Sequence, residues 1–161
     1  MEDVTNRNWL TKEEAETYIG QNSLFYLDKW KTHSESSLKG WNWAAFFFGI
    51  QWMTYRKMYI EALLYYLLTV VVGIIIGMTL GIFGIKVDGN LLRSILQLFV
   101  GIFGNAIYRN KALRVLRKSG YLDETERLAV MQTKGGVSVV GVIVGLLLQV
   151  AIAVLLVFLI Y

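Results

Sequence analysis

Three stretches of this chain carry no charge: Ala62–Ile85 over 24 residues, Ser94–Tyr108 over 15 and Gly135–Tyr161 over 27. Polar and charged residues crowd into the intervals between them. A bilayer hydrocarbon core of roughly 30 Å needs about 20 helical residues at 1.5 Å each. The first and third runs meet that length. The second meets it when it begins near Asn90 and tolerates Arg93, whose long side chain can snorkel to water. The pattern predicts an all-α integral membrane protein with three transmembrane helices, at about 58–82, 90–108 and 137–160. Two charged segments, 1–40 and 109–136, flank them.

The stretch Trp41–Tyr59, WNWAAFFFGIQWMTYRKMY, belongs to neither class. Its apolar part spans too few residues to cross a bilayer. Aromatic rings beside fixed cations suit a membrane–water interface, so residues 41–57 are expected to form an interfacial or re-entrant helix, or to fuse with the first span into one bent helix. Positions 41, 48, 52, 55 and 59 would share one face of it. Trp41, Trp43, Phe47, Trp52, Tyr55, Arg56 and Lys57 are its candidate interface anchors.

The polar segments carry their own start and stop signals. Thr11-Lys12-Glu13-Glu14 fits a capping box, with Thr11 as N-cap and Glu14 at the third helical position. Gly20 is the expected stop, and Ser23 the start of a second short helix. Residues 34–39, SESSLK, read as a loop. Asp123 is expected to cap a helix running to about Thr133, with Gly135–Gly136 as a hinge before the third span.

Charge orients the arrangement. Of 16 Lys and Arg, seven precede the first apolar run, seven lie between the second and third, and only Lys86 and Arg93 fall elsewhere. The positive-inside rule then puts the N-terminus and the 109–136 loop in the cytoplasm and the C-terminus outside. The N-terminus has no basic and apolar leader, so no signal peptide is expected. The net charge of +4 is explained by this asymmetry, and no nucleic-acid motif accompanies it. Hydrophobic residues make up 55% of the chain and mean hydropathy is +0.48, above soluble usage. There is no Cys and one His (His33), which excludes disulfides, thiolate sites and His-cluster metal sites.

No nucleophile elbow, phosphate-binding loop, dinucleotide fingerprint or zinc motif is present, so neither enzyme activity nor a cofactor is expected. Three other groupings are candidates. Glu61, Asn105 and Arg109 fall at similar depth near the inner interface, and the expectation is a hydrogen-bonded polar cluster joining spans one and two. Gly73, Gly77 and Gly81 repeat at four-residue spacing, with Gly141 and Gly145 as a complementary surface for helix packing or self-association. Lys111, Arg114, Arg117 and Lys118 form a juxtamembrane basic group suited to anionic lipid headgroups. Gln97 and Gln149 are expected to meet near mid-membrane. The carboxylates at 123–126 read as helix N-terminal charge.

The run Gly40–Gly49, GWNWAAFFFG, followed by Trp52 and Tyr55-Arg56-Lys57-Met58-Tyr59, resembles the signature of the DUF2628 family of small bacterial membrane proteins. Tyr18-Ile19-Gly20-Gln21-Asn22, Tyr26, Trp30, Gly104-Asn105, Tyr108 and Lys134-Gly135-Gly136 resemble further features of that family. The resemblance covers roughly residues 15–140. Members often carry Pro after the glycine of the Phe-Gly step, where this chain has Ile50. Some carry an N-terminal zinc ribbon, which a chain without Cys does not have. The resemblance implies residence in the bacterial inner membrane and no known catalysis.

Together these readings favour a non-enzymatic scaffolding or regulatory protein at the cytoplasmic leaflet. Its partners would be the lipid bilayer, anionic headgroups, and a membrane protein or a second copy of the chain. A small oligomeric transporter or channel subunit is the alternative.

Overall fold

The computed structural model describes residues 4–31, 40–85 and 88–160, without the side chains of residues 31, 90–93, 156–157 and 159–160. The loop read at 34–39, His33, Lys86 and the side chain of Arg93 lie outside the described residues. Among the described residues the chain is all-α, with no strand. A 3-10 turn at Val4–Asn6 precedes α1 (Lys12–Ile19), α2 (Ser23–Lys31), α3 (Trp43–Phe48), α4 (Ile50–Tyr55), α5 (Tyr59–Ile82), α6 (Gly89–Lys118), α7 (Glu124–Lys134) and α8 (Val139–Ile160).

Helix α1 begins at the expected capping box. The Thr11 hydroxyl accepts from Glu14 N at 3.1 Å, and Thr11 N donates back to the Glu14 carboxylate at 2.8 Å. It stops at Gly20, whose φ of +63° suits a residue without Cβ. Asp123 caps α7 by accepting from Glu126 N at 2.8 Å. Short helices of this kind are marginal alone, and here α1 packs on both α2 and α7. Glu14 does more than cap: it pairs with Arg7 and lies 3.6 Å from Arg127, all three largely buried. One carboxylate thus joins the N-terminal turn, α1 and α7. Arg109 donates to Asn8 O at 2.9 Å and Arg117 to Arg7 O at 3.0 Å, tying the same turn to α6.

The aromatic block is two helices, not one. Gly49 takes φ +45° and ends α3 while opening α4. A left-handed position of this kind tolerates glycine far better than other residues, so the break forms at Gly49 with Ile50, not a proline, after it. The single face expected from positions 41, 48, 52, 55 and 59 is therefore not formed. The block is not fused to α5 either, because Lys57 at φ +56° turns the chain between α4 and α5. Helix α3 lies on α6, where Gly101 and Gly104 leave room for Phe46, Trp41 and Ala45. Helix α4 lies on α8, where Gly141 and Gly145 leave room for Thr54.

Helix α6 also departs from expectation. It runs unbroken from Gly89 to Lys118, so the second apolar run and the basic segment after Tyr108 are one rod. Of the described helices, α5 alone is long and apolar enough to cross a membrane, and α7 with α8 qualify together as a pair bent by 45°. The glycines at that bend form a fastening as well as a turn. Gly136 N donates to Tyr18 O at 2.7 Å, and Ser138 N to Tyr55 O at 2.8 Å.

Candidate functional site

A cationic cleft lies where the α4–α5 turn, the last third of α6 and the end of α7 converge. Its cavity is about 430 Å³, lined by Lys57, Glu61, Lys111, Arg114, Lys118 and Lys134 with an apolar wall that includes Tyr59, Ile60 and Val130. Lys111, Arg114 and Lys118 reach it together because offsets of three and four residues share a helix face. Lys57 is aimed by the left-handed turn it occupies, and its Nζ donates to Thr133 O at 3.1 Å. Lys111 Nζ donates to Lys57 O, which braces that turn against α6. Arg114 Nη1 meets Glu61 Oε1 at 3.0 Å.

Five cations thus face one carboxylate. Burial pushes the Lys111 ammonium below its usual range; Glu61 pulls it back up, while Arg114, Lys57 and Lys134 push it down. An excess of like charge held this close is unfavourable until an anion enters. Among the described residues, no group of three or more His, Asp or Glu could hold a metal ion.

Behind the cleft sits a knot of rings around Arg56. Its guanidinium donates to Ile19 O at 3.0 Å and Gln21 O at 3.1 Å, so it caps the open carbonyls at the end of α1. It also lies 4.6 Å from the Tyr26 ring and 5.4 Å from the Tyr108 ring. Tyr108 is fully buried against Tyr18, Tyr26, Trp30 and Trp52. Trp52 Nε1 donates to the Tyr26 hydroxyl at 3.2 Å. Burial is the chief cause holding the Tyr18 hydroxyl well above the usual phenol range.

Several sequence-predicted groupings come apart here. Glu61, Asn105 and Arg109 form no common cluster. Glu61 pairs with Arg114, Arg109 binds Asn8 O, and Asn105 bonds Asn42 and Gly40 O at 2.8 and 2.7 Å. Asn42 and Asn105 are buried, and Asn42 also caps α3 through Ala45 N at 2.9 Å. Among the expected anchors, Trp43 and Phe47 are exposed and stacked at 5.8 Å, whereas Trp52 and Arg56 are buried in the knot. Trp41 leans on Phe46, Tyr55 is half-buried, and Lys57 turns to the cleft.

The glycine face divides as well. Gly141 and Gly145 pack on α4, not on Gly73, Gly77 and Gly81, and a Cβ at Gly77 or Gly81 would meet nothing within 4 Å. Gln149 takes its bond from Gln51 at 3.4 Å, not from Gln97. Lys111, Arg114 and Lys118 do converge, but Arg117 turns away toward Arg7. Lys57 and Lys134 were not assigned to this group, because no local spacing links three distant segments. Their one shared signal is position: each lies within about three residues of the start of an expected span.

A family profile described as a protein of unknown function, DUF2628, matches residues 10–114. That span covers well over half the chain and takes in α1 through most of α6, and the chain belongs to this family. No curated protein and no solved structure matches it.

Proposed function

For this member of the DUF2628 family, we propose a role as a non-enzymatic membrane protein that organises a partner at the cytoplasmic leaflet. The observation that carries the reading is the outward face of α5. Ile60, Leu64, Ile75 and Met78 are all more than half exposed on one helix. Monomeric soluble proteins rarely leave contiguous apolar patches beyond a few hundred Å². Lipid is the solvent that suits such a surface. On this reading α5, the first part of α6 and α8 are the three spans. The α3–α4 wedge is re-entrant: Gln51 reaches Gln149, 11 residues past Ser138 and so roughly 16 Å along α8.

The working surface is the cap made by α1, α2, α7 and the end of α6, facing the cytoplasm. Its polar contacts are structural, and among its described residues no nucleophile pairs with a base. Two experiments test the reading. The chain has no Cys, so single-cysteine variants report cleanly. A cysteine at Ile75 should resist an impermeant maleimide, and one at Lys12 should react only from the cytoplasmic side. Labelling of both from outside would defeat the topology. Cross-linked affinity purification from native membranes should then recover a protein partner that is lost when cap residues are substituted.

A second reading, an oligomeric transporter or channel, is favoured by one observation. Gly77 and Gly81 leave open space on α5 for a second copy. A strict monomer in mild detergent would remove it.

A further inference from the structure

We propose that the cleft of Lys57, Lys111, Arg114, Lys118 and Lys134 binds a phosphate-bearing anion, with the apolar body of the ligand laid along the start of α5. The proposal deepens the membrane reading above and rests on it where the phosphate belongs to a lipid.

Three observations converge. The cations come from the α4–α5 turn, α6 and α7, so donors approach one cavity from three directions. A carboxylate offers two oxygens in a plane. A phosphate offers several acceptors on a tetrahedron, which suits donors that are not coplanar, and Arg and Lys are its usual partners. The charge is also unbalanced by design of the site. Glu61 is engaged by Arg114, and the ion pairs among the described residues include neither Lys118 nor Lys134. Finally, the cavity of about 430 Å³ is larger than a bare phosphate needs, and its Tyr59–Ile60 wall runs on into the exposed apolar face of Leu63 and Leu64. A headgroup in the cleft and a chain along that face would satisfy both halves. The site is also braced before any ligand arrives, because Lys111 Nζ donates to Lys57 O and Lys57 Nζ donates to Thr133 O.

The test compares the full-length chain with a Lys118→Gln/Lys134→Gln variant, chosen because neither side chain holds a backbone carbonyl. A Lys12→Gln/Lys29→Gln variant removes the same charge away from the cleft. In the lipid arm, native mass spectrometry after reconstitution counts bound phosphatidylglycerol against phosphatidylcholine. In the soluble arm, inorganic phosphate is titrated against chloride at fixed ionic strength and read as thermal stabilisation. Loss of two cations should weaken binding roughly 25-fold, the product of about fivefold for each. The control should retain wild-type behaviour.

Preference for the anionic lipid that the cleft variant loses supports the proposal with a lipid source. Phosphate stabilisation that the variant loses, without lipid preference, supports the anion site with a soluble source and overturns the placement of an apolar body along α5. Equal behaviour of wild type, cleft variant and control in both arms overturns it. Failure to enter vesicles at all would count against the membrane reading, while the soluble arm would still decide the cleft.

Discussion

The cap and the apolar helices of this protein are built by opposite rules. In the cap, each contact is individual: Glu14 meets two arginines and its own N-cap, Arg56 closes the end of α1, and Gly136 N meets Tyr18 O. In α5 and much of α8, most apolar side chains point away from the protein, and α5 has Ala62 as its single buried residue among those described. Polar groups buried in pairs specify one geometry, since each lost partner strands the other. Apolar faces specify only a solvent. The cap therefore determines the shape, and the apolar helices determine the surroundings. The aromatic wedge is the joint, because α3 holds α6 and α4 holds α8.

Substitutions can break this contrast. The largest effect is expected at Gly135, where an added Cβ would collide with Tyr18 O and lie 2.9 Å from Met131 O. Gly135→Ala should cost about 5 kcal/mol or more, seen as loss of folded protein in a detergent melt. Glu14→Ala comes next. It leaves Arg7 and Arg127 as uncompensated buried charges and should cost roughly 3–5 kcal/mol. Asn105→Ala strands the Asn42 amide and Gly40 O, at about 3 kcal/mol for the two groups. Arg56→Lys keeps the charge but loses the two-pronged cap on α1, and should cost about 1–2 kcal/mol. Gly77→Ala marks the other side of the contrast, with a change within about 0.5 kcal/mol either way in a monomer. A large loss at Gly77, together with a lighter oligomer by light scattering, would mean that a second copy covers α5.

Much of the fold was legible because its signals are local. Thr11 and Glu14 are three residues apart, Asp123 precedes its helix directly, and the uncharged run of α5 needs no partner to be recognised. The left-handed break at Gly49 was hidden because WAAFFFGIQWMTY has continuous helical apolarity, and glycine inside such a run is tolerated more often than it ends one. Trp52 and Arg56 were read as interface anchors because an aromatic beside a cation looks alike at a headgroup and in a folded knot. Only the arrival of α1 and α2 over them distinguishes the two. The Asn42–Asn105 pair and the Lys57–Lys111–Lys134 convergence lay beyond the sequence for a similar reason: each joins segments with no shared period. The basic trio on α6 was legible by its helical spacing, and its cleft was not.

The stitching of the first residues to the last third of the chain has a consequence for biosynthesis. Asn8 waits for Arg109, Glu14 for Arg127 and Tyr18 O for Gly136. When the N-terminal segment leaves the ribosome, its partners are still about 100 residues from being made, some five to twenty seconds at ordinary elongation rates. Until α7 emerges, Glu14 has no Arg127 and the end of α1 has no Gly136. Helices α1 and α2 are thus synthesised well before α6 and α7 and completed only after them. The arrival of residues 124–136 is the event that closes the molecule.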